Sequence, residues 1–360
     1  MGSLIIEKIN LVNLNSCIKL FKLILNDKGD KMSILVTGGA GFIGSHVVDE
    51  LIKKHNDVIV LDNLSGGFET NINNRVKFIK GDICDYELIK KIFNENNIEY
   101  VFHLAAYAAE GLSHFIKRYN YNNNLIGSVN LINQSIIKKV KCFVFTSSIA
   151  VYGKNQLPMT EDIIPAPEDS YGIAKYAVEQ ELKISHEMFG LNYIIFRPHN
   201  VYGERQNIGD KYRNVIGIFM NQILQNKPLT VFGNGEQSRA FSYIGDVAPV
   251  IANSIAVKEA YNNVFNVGAD TPYTINQLIQ EIREVMKANP DVKYLEPRNE
   301  VLHAYSSHKK AERIFGINNK TELNVGLKKM AEWVKKHGAR TTQNFEKIEI
   351  EEKLPEGWKK

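Results

Sequence analysis

Short apolar runs recur along the first part of the chain, and each is followed by a longer segment that mixes apolar and charged positions. Uninterrupted apolar runs are typical of parallel strands that are buried on both faces. Their alternation with helices indicates an α/β fold with a doubly wound parallel sheet. The predicted strands are residues 33–36, 58–61, 76–79, 100–106, 142–146 and 193–196.

The pattern changes after about residue 200, where glycines punctuate loops between fewer regular elements. We predict helices at 215–224, 275–285 and 321–336 and a strand at 264–268, which together suggest a smaller second lobe. The predicted organisation is an N-terminal extension (1–31), a strand–helix domain (32–200), a mixed α/β lobe with an interleaved boundary (201–338) and a charged, partly ordered tail (339–360).

The N-terminal extension is apolar but interrupted by charges. It contains no arginine, which a mitochondrial presequence would require, and position 6 lacks the serine or threonine expected for myristoylation. We expect either a loosely docked helix or a natural start at Met32, rather than a targeting or membrane role.

The first strand leads into glycines at a regular spacing, Gly38, Gly41 and Gly44, followed by the apolar start of a helix at Phe42 and Ile43. The first glycine permits a turn that is closed to side chains. The second allows the backbone to approach a pyrophosphate, and the third allows the helix to pack closely on the strand. The context of strand, glycine turn and helix predicts a dinucleotide site.

Asp62 ends the second strand, 24 residues after Gly38. An acidic residue at this distance can bind both hydroxyls of the adenosine ribose and repels a 2′-phosphate, which favours NAD over NADP. The alternative is an aspartate that only caps the following turn. Gly81, Asp82 and Ile83 follow the third strand, where we expect the edge of the adenine pocket.

The amino-acid composition argues against several other classes of protein. The net charge is +4, with 44 basic and 40 acidic residues and no basic block, so nucleic-acid binding is not suggested. The 3 cysteines match neither a metal site nor a disulfide framework, which favours a reducing cytoplasm. No apolar stretch is long enough to predict a membrane span.

The spacing of Tyr171 and Lys175 places both side chains on one face of a helix. A neighbouring ammonium group and a cationic nicotinamide ring both favour the phenolate, so Tyr171 could act as a base near neutral pH. Ser148, at the end of the fifth predicted strand, offers a hydroxyl that could bond to the same substrate oxygen.

Five segments together resemble the extended short-chain dehydrogenase/reductase proteins, which include the NAD-dependent sugar-nucleotide epimerases and dehydratases. The resemblance runs from about residue 34 to 333. Its segments are residues 37–44 (TGGAGFIG), 103–106 (HLAA), 147–153 (SSIAVYG), 171–175 (YGIAK) and 197–203 (RPHNVYG). It implies a Rossmann sheet that binds NAD and a C-terminal lobe that binds a nucleotide-sugar substrate.

The resemblance also implies residue roles. Tyr171 would take the proton of a sugar hydroxyl, Lys175 would hold the nicotinamide ribose, and Ser148 would share the proton's hydrogen bond. The predicted cofactor-binding residues are Gly38, Gly41, Phe42, Ile43, Gly44, Asp62, Asn63, Asp82, Ile83, Leu104, Ala105, Ala106, Asn124, Tyr171, Lys175 and Pro198. The predicted substrate-binding residues are Ser148, Asn200, Val231, Phe232, Arg239, Arg298 and Tyr305, and no metal is expected.

Two positions select among the reactions of this family. A 4,6-dehydratase typically carries Asp and Glu after its catalytic hydroxyl residue, whereas this chain has Ile149 and Ala150, which cannot move protons. The resemblance therefore favours a UDP-glucose 4-epimerase-like reaction, and a bulky Tyr305 favours sugars without an N-acetyl group. A 4,6-dehydratase, an epimerase acting at other carbons and a catalytically silent NAD-binding protein remain alternatives. The family's usual dimer helices correspond to about 122–137 and 170–189, so we expect a homodimer.

Overall fold

The computed structural model describes residues 32–298, 300–317, 320–342 and 344–359. The N-terminal extension, and with it the prediction made for that segment, lies outside the described residues. Within them, no helix is both long and apolar enough to cross a membrane.

A seven-stranded parallel sheet forms the centre of the molecule and confirms the predicted α/β fold class. Its strands are β1 Ser33–Thr37, β2 Val58–Asp62, β3 Lys77–Lys80, β4 Ile98–His103, β5 Cys142–Thr146, β6 Tyr193–Pro198 and β11 Asn263–Val267. Their spatial order is β11-β6-β5-β4-β1-β2-β3. Strand β4 ends three residues earlier than predicted, and residues 104–106 form the loop that follows it.

Helices cover both faces of this sheet. They are α1 Phe42–Leu51, α2 Tyr86–Glu95, α3 Glu110–Ser113, α4 Lys117–Tyr121, α5 Gly127–Ile137, α6 Ser170–Phe189, α7 Val215–Leu224, α8 Ile244–Asn253, α9 Ile275–Met286, α10 Lys309–Phe315 and α11 Leu323–His337. A short π-helical segment, Asn122–Ile126, joins α4 to α5.

Alternate residues of each strand enter different cores, because successive side chains of a strand point to opposite faces. Ile34 and Val36 join the cluster that contains Val47 of α1. Leu35, between them, joins the cluster that contains Ile89 of α2 and Val178 of α6. Both faces of the strand are therefore apolar, as the continuous hydrophobic runs predict.

The second half of the chain adds three small sheets to the large one. Their strands are β7 Val201–Tyr202, β8 Leu229–Phe232, β9 Ser238–Ala240, β10 Ser242–Tyr243, β12 Pro272–Thr274, β13 Val292–Leu295 and β14 His303–Ala304. They pair as β10-β7, β12-β9-β14 and β13-β8. Strand β11 belongs to this half but lies beside β6 in the large sheet, so the two halves interleave.

The tail is more closely packed than its charged sequence suggests. Trp358 and Leu354 are buried together with Leu112 and Ile116, which follow β4. The Glu349 carboxylate accepts backbone N–H bonds of 2.8 Å from both Arg118 and Tyr119. A few apolar anchors therefore hold the described part of the tail against the rest of the protein.

Candidate active site

The carboxyl ends of the central strands open into a cleft of about 430 Å³ that the second half of the chain also lines. Ligands of open α/β sheets bind at this edge. Twenty of the predicted site residues line the cleft. They are Gly38, Gly41, Phe42, Ile43, Gly44, Asp62, Asn63, Ile83, Leu104, Ala105, Ala106, Ser148, Tyr171, Lys175, Pro198, Asn200, Val231, Phe232, Arg239 and Arg298.

The glycine turn brings three chain segments close together. Gly38 has a φ of +74°, and a Cβ atom there would lie 2.6 Å from the backbone nitrogen of Ala105. A side chain would therefore meet both backbone strain and a clash. Helix α1 begins directly after the turn, at Phe42, and its N-terminal residues line the cleft. This bare backbone cradle fits the pyrophosphate of a dinucleotide.

Asp62 lines the cleft and also accepts two backbone hydrogen bonds. Its Oδ2 atom accepts the Ala40 N–H at 3.0 Å, and its Oδ1 atom accepts the Leu64 N–H at 2.8 Å. Burial raises the pKa of Asp62, whereas these backbone hydrogen bonds lower it. A carboxylate has about four acceptor positions, so capacity remains for a ribose diol.

Two predicted cofactor residues lie behind the cleft wall. The Asn124 amide accepts the Tyr107 N–H at 2.8 Å and donates to the Tyr107 carbonyl at 3.1 Å. Asp82 accepts the Cys84 N–H at 2.8 Å and the Asn63 amide at 2.9 Å. Both side chains position backbone beneath the cleft, and neither lines it.

Three elements position the predicted catalytic residues. Tyr171 is in the first turn of α6, where the Asp169 side chain caps the helix by accepting the Gly172 N–H at 2.8 Å. Ser148 follows β5, and its Oγ atom accepts the Ala150 N–H at 3.1 Å. Lys175 lies one turn after Tyr171 and donates to the Thr146 carbonyl at 2.8 Å. The structure therefore brings the predicted trio together.

Burial dominates the electrostatics of this trio. It raises the pKa of Tyr171, and the negative charge of Glu110 adds to that effect, whereas the nearby Ser148 hydroxyl lowers it. Burial also lowers the pKa of Lys175 to about 7. Burial and the Glu110 charge therefore oppose ionisation of the phenol, and the Ser148 hydroxyl favours it. A positive charge from a nicotinamide ring would favour its ionisation.

Arg239 and Arg298 meet at one acid, Glu300, with nitrogen–oxygen distances of 3.5 and 3.0 Å respectively. Arg239 also donates to the backbone carbonyls of Ser238, Leu302 and Val301. The Arg298 guanidinium lies 4.8 Å from the centre of the Phe232 ring. Two oriented guanidinium groups on one wall suit a diphosphate.

Tyr305 does not line the cleft; its neighbour Ala304 does. The Tyr305 carbonyl accepts the Met159 N–H at 3.1 Å. A one-residue difference reverses the face that a side chain occupies in extended backbone. The argument from Tyr305 against an N-acetyl group is therefore not supported.

Sequence reasoning missed three participants. Glu110 lines the cleft near Tyr171, and Arg213 lines it with its Nε atom 2.7 Å from Asp210. Trp358, in the tail, lies 5.7 Å from the Arg298 guanidinium. Of these three residues, only Trp358 could have been singled out from the sequence, because it is a tryptophan in a charged tail. The positions of the other two in the cleft depend on the fold.

Comparisons with known proteins agree with this site. The family described as "NAD dependent epimerase/dehydratase family" matches residues 34–268. A putative UDP-glucose 4-epimerase of Methanocaldococcus jannaschii is 39% identical over 84% of this chain and 98% of that protein. Both sequences therefore share nearly all of the described fold.

Two solved structures are similarly close. A UDP-glucose 4-epimerase of Thermotoga maritima, solved with UDP-glucose, has a TM-score of 0.80 and 39% identity, covering 85% of this chain and 99% of that chain. A UDP-N-acetylglucosamine 4-epimerase of Methanobrevibacter ruminantium, in complex with UDP-N-acetylmuramic acid, has a TM-score of 0.79 and 35% identity, covering 85% and 98%. With its glycine cradle, Asp62 and the Ser148–Tyr171–Lys175 trio in one cleft, the chain belongs to the NAD-dependent epimerase/dehydratase family, and NAD is its cofactor.

Proposed function

We propose that this enzyme interconverts nucleotide hexoses by epimerisation at C4, with UDP-glucose and UDP-galactose as its substrates. The observation that carries the proposal is the composition of the cleft around Ser148. Tyr171 and Lys175 are present there, whereas Ile149 and Ala150 occupy the positions of a dehydratase acid–base pair and also line the cleft. This favours 4-epimerisation over elimination of water.

The residues that would hold the cofactor are the glycine turn from Gly38 to Gly44, Asp62 and Lys175. When bound, NAD supplies the hydride acceptor and donor for the sugar carbinol and a positive ring charge. Tyr171 accepts the proton of the C4 hydroxyl and later returns it. The Ser148 Oγ atom accepts the Ala150 N–H, which leaves its own hydrogen to bond to Tyr171 or to the reacting oxygen.

Lys175 and the arginines have supporting functions. The Lys175 ammonium donates one hydrogen bond to the Thr146 carbonyl, which leaves two N–H groups for a ribose hydroxyl. Its positive charge would also act on Tyr171. Arg239 and Arg298 would hold the diphosphate while the hexose turns to present its other face. The assignment of uridine rests on the similar proteins, which are named for UDP sugars. Because the small Ala304 lines the cleft, N-acetylated sugars have to be tested as substrates as well.

We also propose a homodimer formed through α5 and α6. On these helices Ala174, Val178 and Leu182 are buried within the chain itself, and Ile132 is buried as well. Exposed apolar residues would form the contact instead: Ile126, which directly precedes α5, and Ile137, Ile173, Ile184, Met188 and Phe189. Cys84 and Cys142 are free thiols, which is consistent with a proposed cytoplasmic location.

The test is incubation of the purified protein with UDP-glucose and, separately, UDP-galactose without added NAD, with products identified by NMR. Interconversion of the two would support the proposal. A 4-keto-6-deoxy product would contradict it in favour of a dehydratase. No conversion of any nucleotide sugar, UDP-N-acetylglucosamine included, would leave a silent NAD-binding protein.

A further inference from the structure

Five carboxylates line the cleft, and within the described residues four of them are held by protein groups. Glu110 is the exception: its carboxylate makes no hydrogen bond or ion pair with another described residue. The partners of the other four are backbone N–H groups for Asp62 and Asp169, Lys154 for Glu168, and Arg298 for Glu300. Glu110 therefore has no evident structural function in the cleft wall.

The backbone around Glu110 is nevertheless fixed. Glu110 begins α3, and its carbonyl accepts the Ser113 Oγ–H at 2.6 Å. The next residue, Gly111, lies beneath the Trp358 ring, where a Cβ atom would be 2.9 Å from the ring. Glu110 therefore lines the cleft from a fixed segment of chain.

The surroundings of Glu110 suit proton transfer. Its side chain is exposed, but the open space it faces is the cleft. Burial within the cleft and the charge of Asp169 raise the pKa of Glu110 to about 7, with Glu300 adding to the rise and Arg239 and Arg298 opposing it. A carboxyl group with both forms populated near neutral pH is an effective general acid and base.

We propose that Glu110 is a second acid–base group of this active site, exchanging a proton with a sugar carbon that flanks C4. The inference rests on the proposed function, because the hydrogens on C3 and C5 become acidic only in the 4-keto sugar through which 4-epimerisation would pass. The C–H bond then breaks, its electron pair moves into the C4 enolate, and the proton passes to a Glu110 oxygen. The reverse transfer restores the C–H bond without net oxidation or reduction.

The experiment follows UDP-glucose with the full-length enzyme in D2O, using ¹H NMR to read 4-epimerisation and loss of the H3 or H5 signal in the same sample. We expect the wild type to exchange one of these hydrogens. Glu110→Gln should lower the exchange rate by about 10²-fold or more, with a much smaller effect on 4-epimerisation. Glu110→Asp should restore part of the exchange, and Glu187→Gln, an exposed substitution at the far end of α6, should change neither signal.

Two results would overturn the function of Glu110 alone: epimerisation without deuterium at C3 or C5, or equal exchange in the wild type and Glu110→Gln. If the wild type converts neither UDP-glucose nor UDP-galactose, the proposed function fails, and this inference fails with it. Circular dichroism of each variant separates loss of exchange from loss of folding.

Discussion

Glu179 and Arg197 form a two-point ion pair inside the protein. The Arg197 Nη2 atom lies 2.5 Å from Glu179 Oε2, and Nε lies 2.9 Å from Oε1. Both side chains are buried, and the Ser147 hydroxyl also donates to Oε1 at 2.5 Å. Glu179 therefore ties helix α6 to strand β6 and to the residue beside Ser148.

Glu179→Gln should destabilise the protein strongly, because it leaves the buried Arg197 charge without its counter-ion. We expect the free energy of unfolding, measured in urea, to fall by about 3–5 kcal/mol. The exposed pair between Lys141 and Glu99 provides the control, since Glu99→Gln should cost about 0–1 kcal/mol. Equal effects of the two variants would mean that burial does not determine how much an ion pair contributes to the free energy of unfolding.

Tyr171→Phe should abolish turnover while leaving NAD binding intact, since only the phenolic oxygen that moves the proton is removed. Turnover is measured with UDP-galactose, and bound NAD is measured by its absorbance after denaturation of the purified variant. The ring fills the same buried space, so the fold should persist. Retained turnover would refute Tyr171 as the base.

Stability should depend on pH through Lys175. Burial lowers its pKa from 10.5 to about 7 in the folded protein. Between those values the unfolded chain binds more protons, so the free energy of unfolding rises with pH. In NAD-free protein, the wild type should gain about 2 kcal/mol relative to Lys175→Met between pH 7 and pH 9. Parallel pH profiles for the two proteins would contradict the lowered pKa.

Gly38→Ala should lose NAD, because the new Cβ atom meets the backbone at Ala105 as well as a φ of +74°. Gly316→Ala separates these two causes, since Gly316 has a φ of +66° with nothing within 4 Å of the added atom. We expect Gly316→Ala to cost about 1–2 kcal/mol of stability and to retain NAD. Full NAD content in Gly38→Ala would show that the cradle tolerates a side chain.

Trp358→Ala should loosen the described part of the tail and the wall that carries Arg298. Loss of this buried ring should lower the free energy of unfolding by about 3–5 kcal/mol. Loss of its contact with the guanidinium, 5.7 Å from the ring centre, should raise the KM for UDP-glucose about fivefold. Ile350→Ala, on an exposed part of the same tail, is the matched control and should change neither quantity much.

Local signals were sufficient for the positions of the strands in the first half of the chain and for the cofactor cradle. Continuous apolar runs require burial on both faces, and a glycine triplet between a strand and a helix has few other uses. The trio of Ser148, Tyr171 and Lys175 was also predictable, because the end of a strand and one turn of a helix place these residues within short reach.

Other features depended on contacts between residues far apart in the chain. Whether Ala304 or Tyr305 faces the cleft depends on the pairing of β14 with β9, which local pattern does not encode. Asn124 is engaged by Tyr107, and Glu110 has no hydrogen-bond partner for its carboxylate among the described residues, only because of how their surroundings pack. The sequence by itself determined a parallel α/β protein that binds NAD, and it predicted a tyrosine base beside the cofactor. The tertiary structure decided which acids are engaged and which face the substrate, because hydrogen-bond partners and burial arise only when distant segments meet.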